Sequence, residues 1–160
     1  MYNPNCLIRN KFHNLVCLTL KILNIKILRG TVFGGIFYFL LGWLVYGILL
    51  MNWFTTHSNQ CLNKPQGEMV WWAMIISTLL SALFLTLILD WSRAGRVPDG
   101  LIKGAIFGAL FTAVYDFSFW SMTTMYSSFI PIIVNIAVSA IVFGLTGIVI
   151  VLTWGKNKTP

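Results

Sequence analysis

The sequence predicts an all-α protein, a four-helix transmembrane bundle with both termini on the cytoplasmic side. Three observations predict it. Only 9% of the 160 residues are charged while 58% are hydrophobic, against about 25% charged residues in soluble domains. Four long apolar runs follow one another. The basic residues fall almost entirely on one side of those runs. Mean hydropathy is +0.80. This composition excludes a soluble globular domain, a disordered chain and a disulfide-stapled secreted module.

A spanning helix needs about 20 mostly apolar residues to cross roughly 30 Å of hydrocarbon. The first such run is TVFGGIFYFLLGWLVYGILLMNW, at about 31–53. The second occupies about 69–89 and ends at Asp90, before the turn-rich stretch WSRAGRVPDG. The third, about 104–125, contains Asp116. The fourth, about 129–154, carries no charge and has Pro131 in its first turn, where a missing N–H costs little. A β-barrel is excluded because its strands alternate apolar and polar residues, whereas these runs are continuous. Helices therefore satisfy the backbone in lipid. Residues 1–29 form a basic N-terminal segment, 30–155 the membrane domain and 156–160 a cytoplasmic tail.

An even number of spans puts both termini on one side. Arg9, Lys11, Lys21, Lys26 and Arg29 precede the first span, Arg93, Arg96 and Lys103 lie between the second and third, and Lys156 and Lys158 close the chain. Lys64 stands alone on the other side. The positive-inside rule makes the basic side cytoplasmic. The net charge of +7 is thus an orientation signal, and nucleic acid is not an expected partner. Trp53, Trp71, Trp72 and Tyr126 at outer ends, and Trp91 and Trp154 at inner ends, read as interfacial anchors. Arg93 and Arg96 read as topology determinants, with lipid phosphates as the competing role.

The N-terminal segment lacks the small-x-small site of a cleaved signal peptide. Two readings stay open: a basic surface helix, whose charges do not share one face, and a native start at Leu20 as a non-standard start codon. Cys6 and Cys17 lie in this segment and Cys61 across the membrane from them, so an intrachain disulfide is not expected, and no zinc spacing exists. His57 and Cys61 supply only two ligands, too few for a metal.

RGTVFGGIF at 29–37 and KGAIFGALF at 103–111 share Gly, Phe, Gly and Phe in register. Such a match suggests two parallel helix-pair halves, with coincidence in a Gly- and Phe-rich chain as the alternative. The glycines themselves let helix backbones approach closely in lipid. On this ground Gly34, Gly42, Gly104, Gly108, Gly144 and Gly147 are the expected helix-packing positions, joined by Gly35. The third and fourth helices are expected to form the closest pair.

Asp116 is the only charge-bearing residue inside a predicted span. From the predicted bounds it lies close to mid-membrane, where a carboxylate costs at least about 2.5–3.5 kcal/mol to insert. It must therefore face the bundle, a cavity or a partner. Depth matching assembles a candidate intramembrane polar site from Asp116, Asn135, Ser139, Ser77 and Tyr46. An interhelical hydrogen-bond network and a proton or substrate site both fit that layer.

The stretches FLLGWLVYG, MVWW and FGALFTAVYDFSFW resemble those of the small four-span bacterial integral membrane proteins grouped as a domain-of-unknown-function family. The likeness covers roughly 28–154. It implies the fold and a bacterial cytoplasmic membrane, and carries over no catalytic residue. It also implies a second polar or acidic residue in the fourth span, which Asn135 matches as an amide. No catalytic, cofactor or metal motif is present, so the expectation is a non-enzyme in the lipid bilayer. Its expected role is structural or interacting, as a homo-oligomer or with a membrane protein partner. The alternative is a small transporter or channel with Asp116 as a protonatable site.

Overall fold

A computed structural model of the chain describes residues 25–58, 68–126 and 128–154. It is a helical bundle, and the one β pairing among the described residues is an isolated antiparallel bridge between Ser58 and Tyr126. Helix α1 is Ile25–Gly42 and continues through a π-helical segment, Trp43–Leu49, into the short α2, Met51–His57. Helices α3, Trp71–Trp91, α4, Val97–Met122, and α5, Ile130–Thr153, complete the bundle. Ile25–Leu49, α3, α4 and α5 are each long and apolar enough to cross a membrane, as expected of a multi-pass membrane protein. The expected N-terminal features before Ile25, the cysteines, Lys64 and the tail lie outside the described residues.

Helix bounds differ from those read in the sequence. The first helix already includes Lys26 and Arg29, because both can extend their charged heads toward the membrane surface. Helix α4 starts at Val97, with Pro98 in its first turn and the Arg96 N–H donating to Asp99 Oδ2 at 3.2 Å. That capping closes the helix start seven residues before the apolar run begins. Helix α3 ends where Arg93 takes a left-handed φ of 51°. The Ala94 N–H then reaches Leu89 O at 2.9 Å and the Arg93 N–H reaches Asp90 O at 3.0 Å, a Schellman arrangement. Lys103 Nζ adds a bond to Ser92 O at 2.6 Å.

Helices α4 and α5 are the closest pair, as expected, while α1 lies against α3 and α5. The α4–α5 seam is made by backbone. A Cβ on Gly104 would stand 2.6 Å from Phe143 O, and one on Gly100 2.6 Å from Gly147 O. One on Gly147 would fall on Gly100 O, and Gly144 faces Leu101 and Ala105. Gly34 accommodates Ile150 of α5, and Gly35 accommodates Leu79 of α3. Gly108 takes Phe143. The two repeated glycine segments thus share a neighbour, since Gly34 and Gly108 both meet α5. Gly42 corrects the expectation: nothing lies within 4 Å of where its Cβ would stand. It sits at the entry to the π-helical segment, beyond the stretch of α1 whose glycines meet α3 and α5.

Leu85, Leu89, Phe143, Ile150 and Val151 form the buried core, with Tyr38, Phe107, Phe111 and Trp154 packed on it. The end of the bundle that holds Ile25 and Trp154 is closed by a second contact set. Lys26 Nζ pairs with Asp90 Oδ1 at 2.8 Å and lies 4.1 Å from the Trp154 ring centroid. Trp154 Nε1–H donates to Lys26 O at 3.0 Å. Asp90 therefore belongs to the last turn of α3, and Trp154 is a tether as well as an edge residue.

Candidate functional site

At the opposite, far end of the bundle a polar cluster forms around Asp116. The glycine seam fixes its register. Eight residues on from Gly108 in α4 is Asp116, and eight back from the facing Phe143 in α5 is Asn135. Two antiparallel helices in constant register must bring these residues opposite one another. Asn135 Nδ2 donates to Asp116 Oδ2 at 2.8 Å and to Oδ1 at 3.0 Å. Tyr126 Oη donates to Oδ1 at 2.9 Å.

Two irregular backbone segments supply the remaining members. The π-helical stretch of the first span presents Tyr46, whose hydroxyl donates to Asn135 Oδ1 at 2.8 Å and lies 3.0 Å from Ser139 Oγ. Because that phenol has one proton and gives it to Asn135, Ser139 supplies the proton of the second bond. Single π-helical turns inside α-helices recur at functional sites, and this one shifts Tyr46 into bonding distance of α5. The Ser58–Tyr126 bridge holds the loop after α4 against the end of α2, so that Tyr126 folds back over Asp116.

The cluster is buried at the carboxylate and half-buried at Asn135 and Tyr46. Asp116 is 4% exposed, Ser139 7% and Tyr126 8%. Asn135 is fully directed, with its amino group on the carboxylate and its carbonyl on Tyr46. Burial, then the hydrogen bond to Asp116, push the Tyr126 phenol above its ordinary value, so Tyr126 remains a donor. Among the described residues, the carboxylate's hydrogen bonds all come from uncharged donors. The arrangement can hold an acid in place.

Of the five residues placed together from the sequence, the structure brings Asp116, Asn135, Ser139 and Tyr46 into one network. Ser77 is elsewhere. It lines an open groove between α3 and α4 together with Ser81 and Tyr115, because α3 packs on α1 and barely touches α4. Depth also needs correction. With α4 ending at Met122, Asp116 lies six residues, about 9 Å, from the far end of its helix, not at its middle. Tyr126 was missed. Its place at the end of a span reads as an interfacial aromatic, and the signal that could have found it is the short connection back toward Asp116.

His57 stacks on Trp53 at 4.6 Å, with Nδ1 2.9 Å from Trp53 O; Cys61 lies outside the described residues. Among the described residues no three His, Cys, Asp or Glu side chains converge as a metal site. No family model matches the chain, and neither a curated protein nor a solved structure matches it.

Proposed function

We propose that this protein is a non-enzymatic component of a bacterial cytoplasmic membrane, with both termini inside, that works by associating with itself or with another membrane protein. In this reading Asp116 is a lock between helices rather than a transport site. One observation carries it: the carboxylate is buried and held by Asn135 and Tyr126, and it is not among the residues lining the open groove. A transport acid needs a path for water or substrate, and this carboxyl is itself buried and spent on protein donors. The bacterial membrane and the orientation rest on the sequence resemblance and on the distribution of Lys and Arg.

The test has two arms. In reconstituted vesicles under a pH gradient, the wild type and Asp116→Asn should both leak protons no faster than empty vesicles. Cross-linking in native membranes should trap the wild type with a second copy or with another membrane protein. A pH-dependent flux that disappears in Asp116→Asn would establish the transporter alternative instead.

A further inference from the structure

The groove between α3 and α4 has a volume of about 790 Å³ and is walled at the back by Tyr38 of α1. That size lies within the range of small-molecule sites. Its walls are apolar and aromatic. Phe84 and Phe111 have centroids 6.4 Å apart, and Phe111 and Tyr115 5.0 Å. Among the described residues no charged side chain lines it.

Four hydroxyls, those of Tyr38, Ser77, Ser81 and Tyr115, do line it, and none has a hydrogen-bond partner among the described residues. Most hydroxyls elsewhere on these helices bond a carbonyl of their own helix, although the buried Thr31 Oγ1 of α1 also has no partner among the described residues. Thr78 bonds Met74 O at 2.9 Å, Thr86 bonds Ala82 O at 2.7 Å and Ser118 bonds Val114 O at 2.7 Å. A hydroxyl without a partner in hydrocarbon is costly. The groove thus gathers donors that the protein leaves unused.

Depth restricts what can use them. Ser77 and Ser81 lie about 9 and about 15 Å along α3 from Trp71. Helix α3 has 21 residues and so matches the hydrocarbon thickness, which puts Ser81 near the midplane. The ester and phosphate groups of bilayer lipids stay at the interface and do not reach this level. An occupant must bring its own acceptor into the core while remaining uncharged. The aromatic walls favour a flat ring.

We infer that the α3–α4 groove binds an uncharged, lipid-soluble molecule with a planar ring bearing carbonyl groups, which accept hydrogen bonds from Ser77, Ser81, Tyr38 and Tyr115. None of these residues belongs to the Asp116 cluster, so the site stands or falls apart from the proposed function.

The probe is a decyl-substituted 1,4-benzoquinone, offered to the full chain in lipid nanodiscs, with decylbenzene as the matched ring lacking carbonyls. Native mass spectrometry and equilibrium partitioning read occupancy. The quinone should bind saturably, at one molecule per chain, at least tenfold more tightly than decylbenzene. Ser77→Ala/Ser81→Ala keeps the groove open and replaces two residues by a better helix former; it should lose about tenfold in quinone affinity and leave decylbenzene unchanged. Ser81→Phe, which fills the groove, should abolish both. Equal binding of quinone and decylbenzene, unchanged affinity in the double alanine variant, or no saturable binding would each overturn the inference.

Discussion

Asp90 and Asp116 lie toward opposite ends of the bundle and are satisfied by opposite means. Asp90 meets a cation, Lys26, in a pair whose side chains are 35% and 29% exposed. Asp116 meets only neutral donors and is almost completely enclosed. Near a membrane surface a lysine can keep its head in water while its stem packs on Trp154. Deeper in, a second ion would add its own desolvation cost, and an amide with a phenol supplies hydrogen bonds without it. Both sets fasten the first span, through Lys26 at one end and Tyr46 at the other, while Gly34 and Gly35 let its middle approach α5 and α3. The far cluster is therefore the dry fastening and the near pair the wet one.

The largest way to break this contrast is Asn135→Leu. It strips Asp116 of two of its three bonds and Tyr46 of its acceptor. Leaving a buried acid so exposed to its own desolvation should cost about 3 kcal/mol, read by denaturant unfolding in mixed micelles. Adding Asp116→Leu should restore part of that loss, because both buried polar groups are then gone. Fully additive losses would show that the two residues are not coupled.

Next comes the seam that sets the register. Gly147→Ala places a methyl on the Gly100 carbonyl, and backbone cannot step aside. The expected cost is about 1–3 kcal/mol, with a weakened Asp116–Asn135 contact. Gly42→Ala, where nothing lies within 4 Å, should instead gain up to about 1 kcal/mol from helix propensity. The same unfolding assay reads both signs.

These effects follow the line between what the sequence made legible and what it hid. The four spans, the α4–α5 pairing and the meeting of Asp116 with Asn135, Ser139 and Tyr46 follow from apolar length, glycine spacing and depth. Ser77 shares that depth but not that face, and depth alone carries no information about rotation around a helix. Tyr46 reaches the cluster through a π-helical segment, and Tyr126 through a lone β bridge; neither irregularity has a sequence period. The Lys26–Asp90 pair was hidden because both residues read as boundary charges, 64 positions apart.

Tyr126→Phe is a smaller test of the dry end. Losing one bond to the carboxylate should cost about 1–2 kcal/mol at neutral pH. Since the folded phenol titrates above its ordinary value, its contribution is complete below about pH 10, the unfolded value. It falls as pH rises toward the folded value. The wild type should therefore lose stability at alkaline pH more steeply than Tyr126→Phe. Parallel pH profiles would mean that Tyr126 does not hold its proton against Asp116.

The smallest expected effect tests the wet end. Lys26→Met keeps an apolar stem over Trp154 and removes the charge, while Asp90→Asn removes the other charge with little change in shape. A double-mutant cycle of these two should give a coupling of about 0.2–1 kcal/mol, the usual range for partly exposed pairs. Because the side chains are about a third exposed, salt should screen them, and raising the salt to 1 M, where the Debye length is about 3 Å, should shrink the coupling. The Asp116–Asn135 coupling should not respond to that salt, since its donors are uncharged and the carboxylate is buried. A salt-insensitive coupling above about 2 kcal/mol at Lys26–Asp90 would place that pair in an environment as dry as the far cluster. The choice of a cation for one acid and of neutral donors for the other would then need a cause other than access to water.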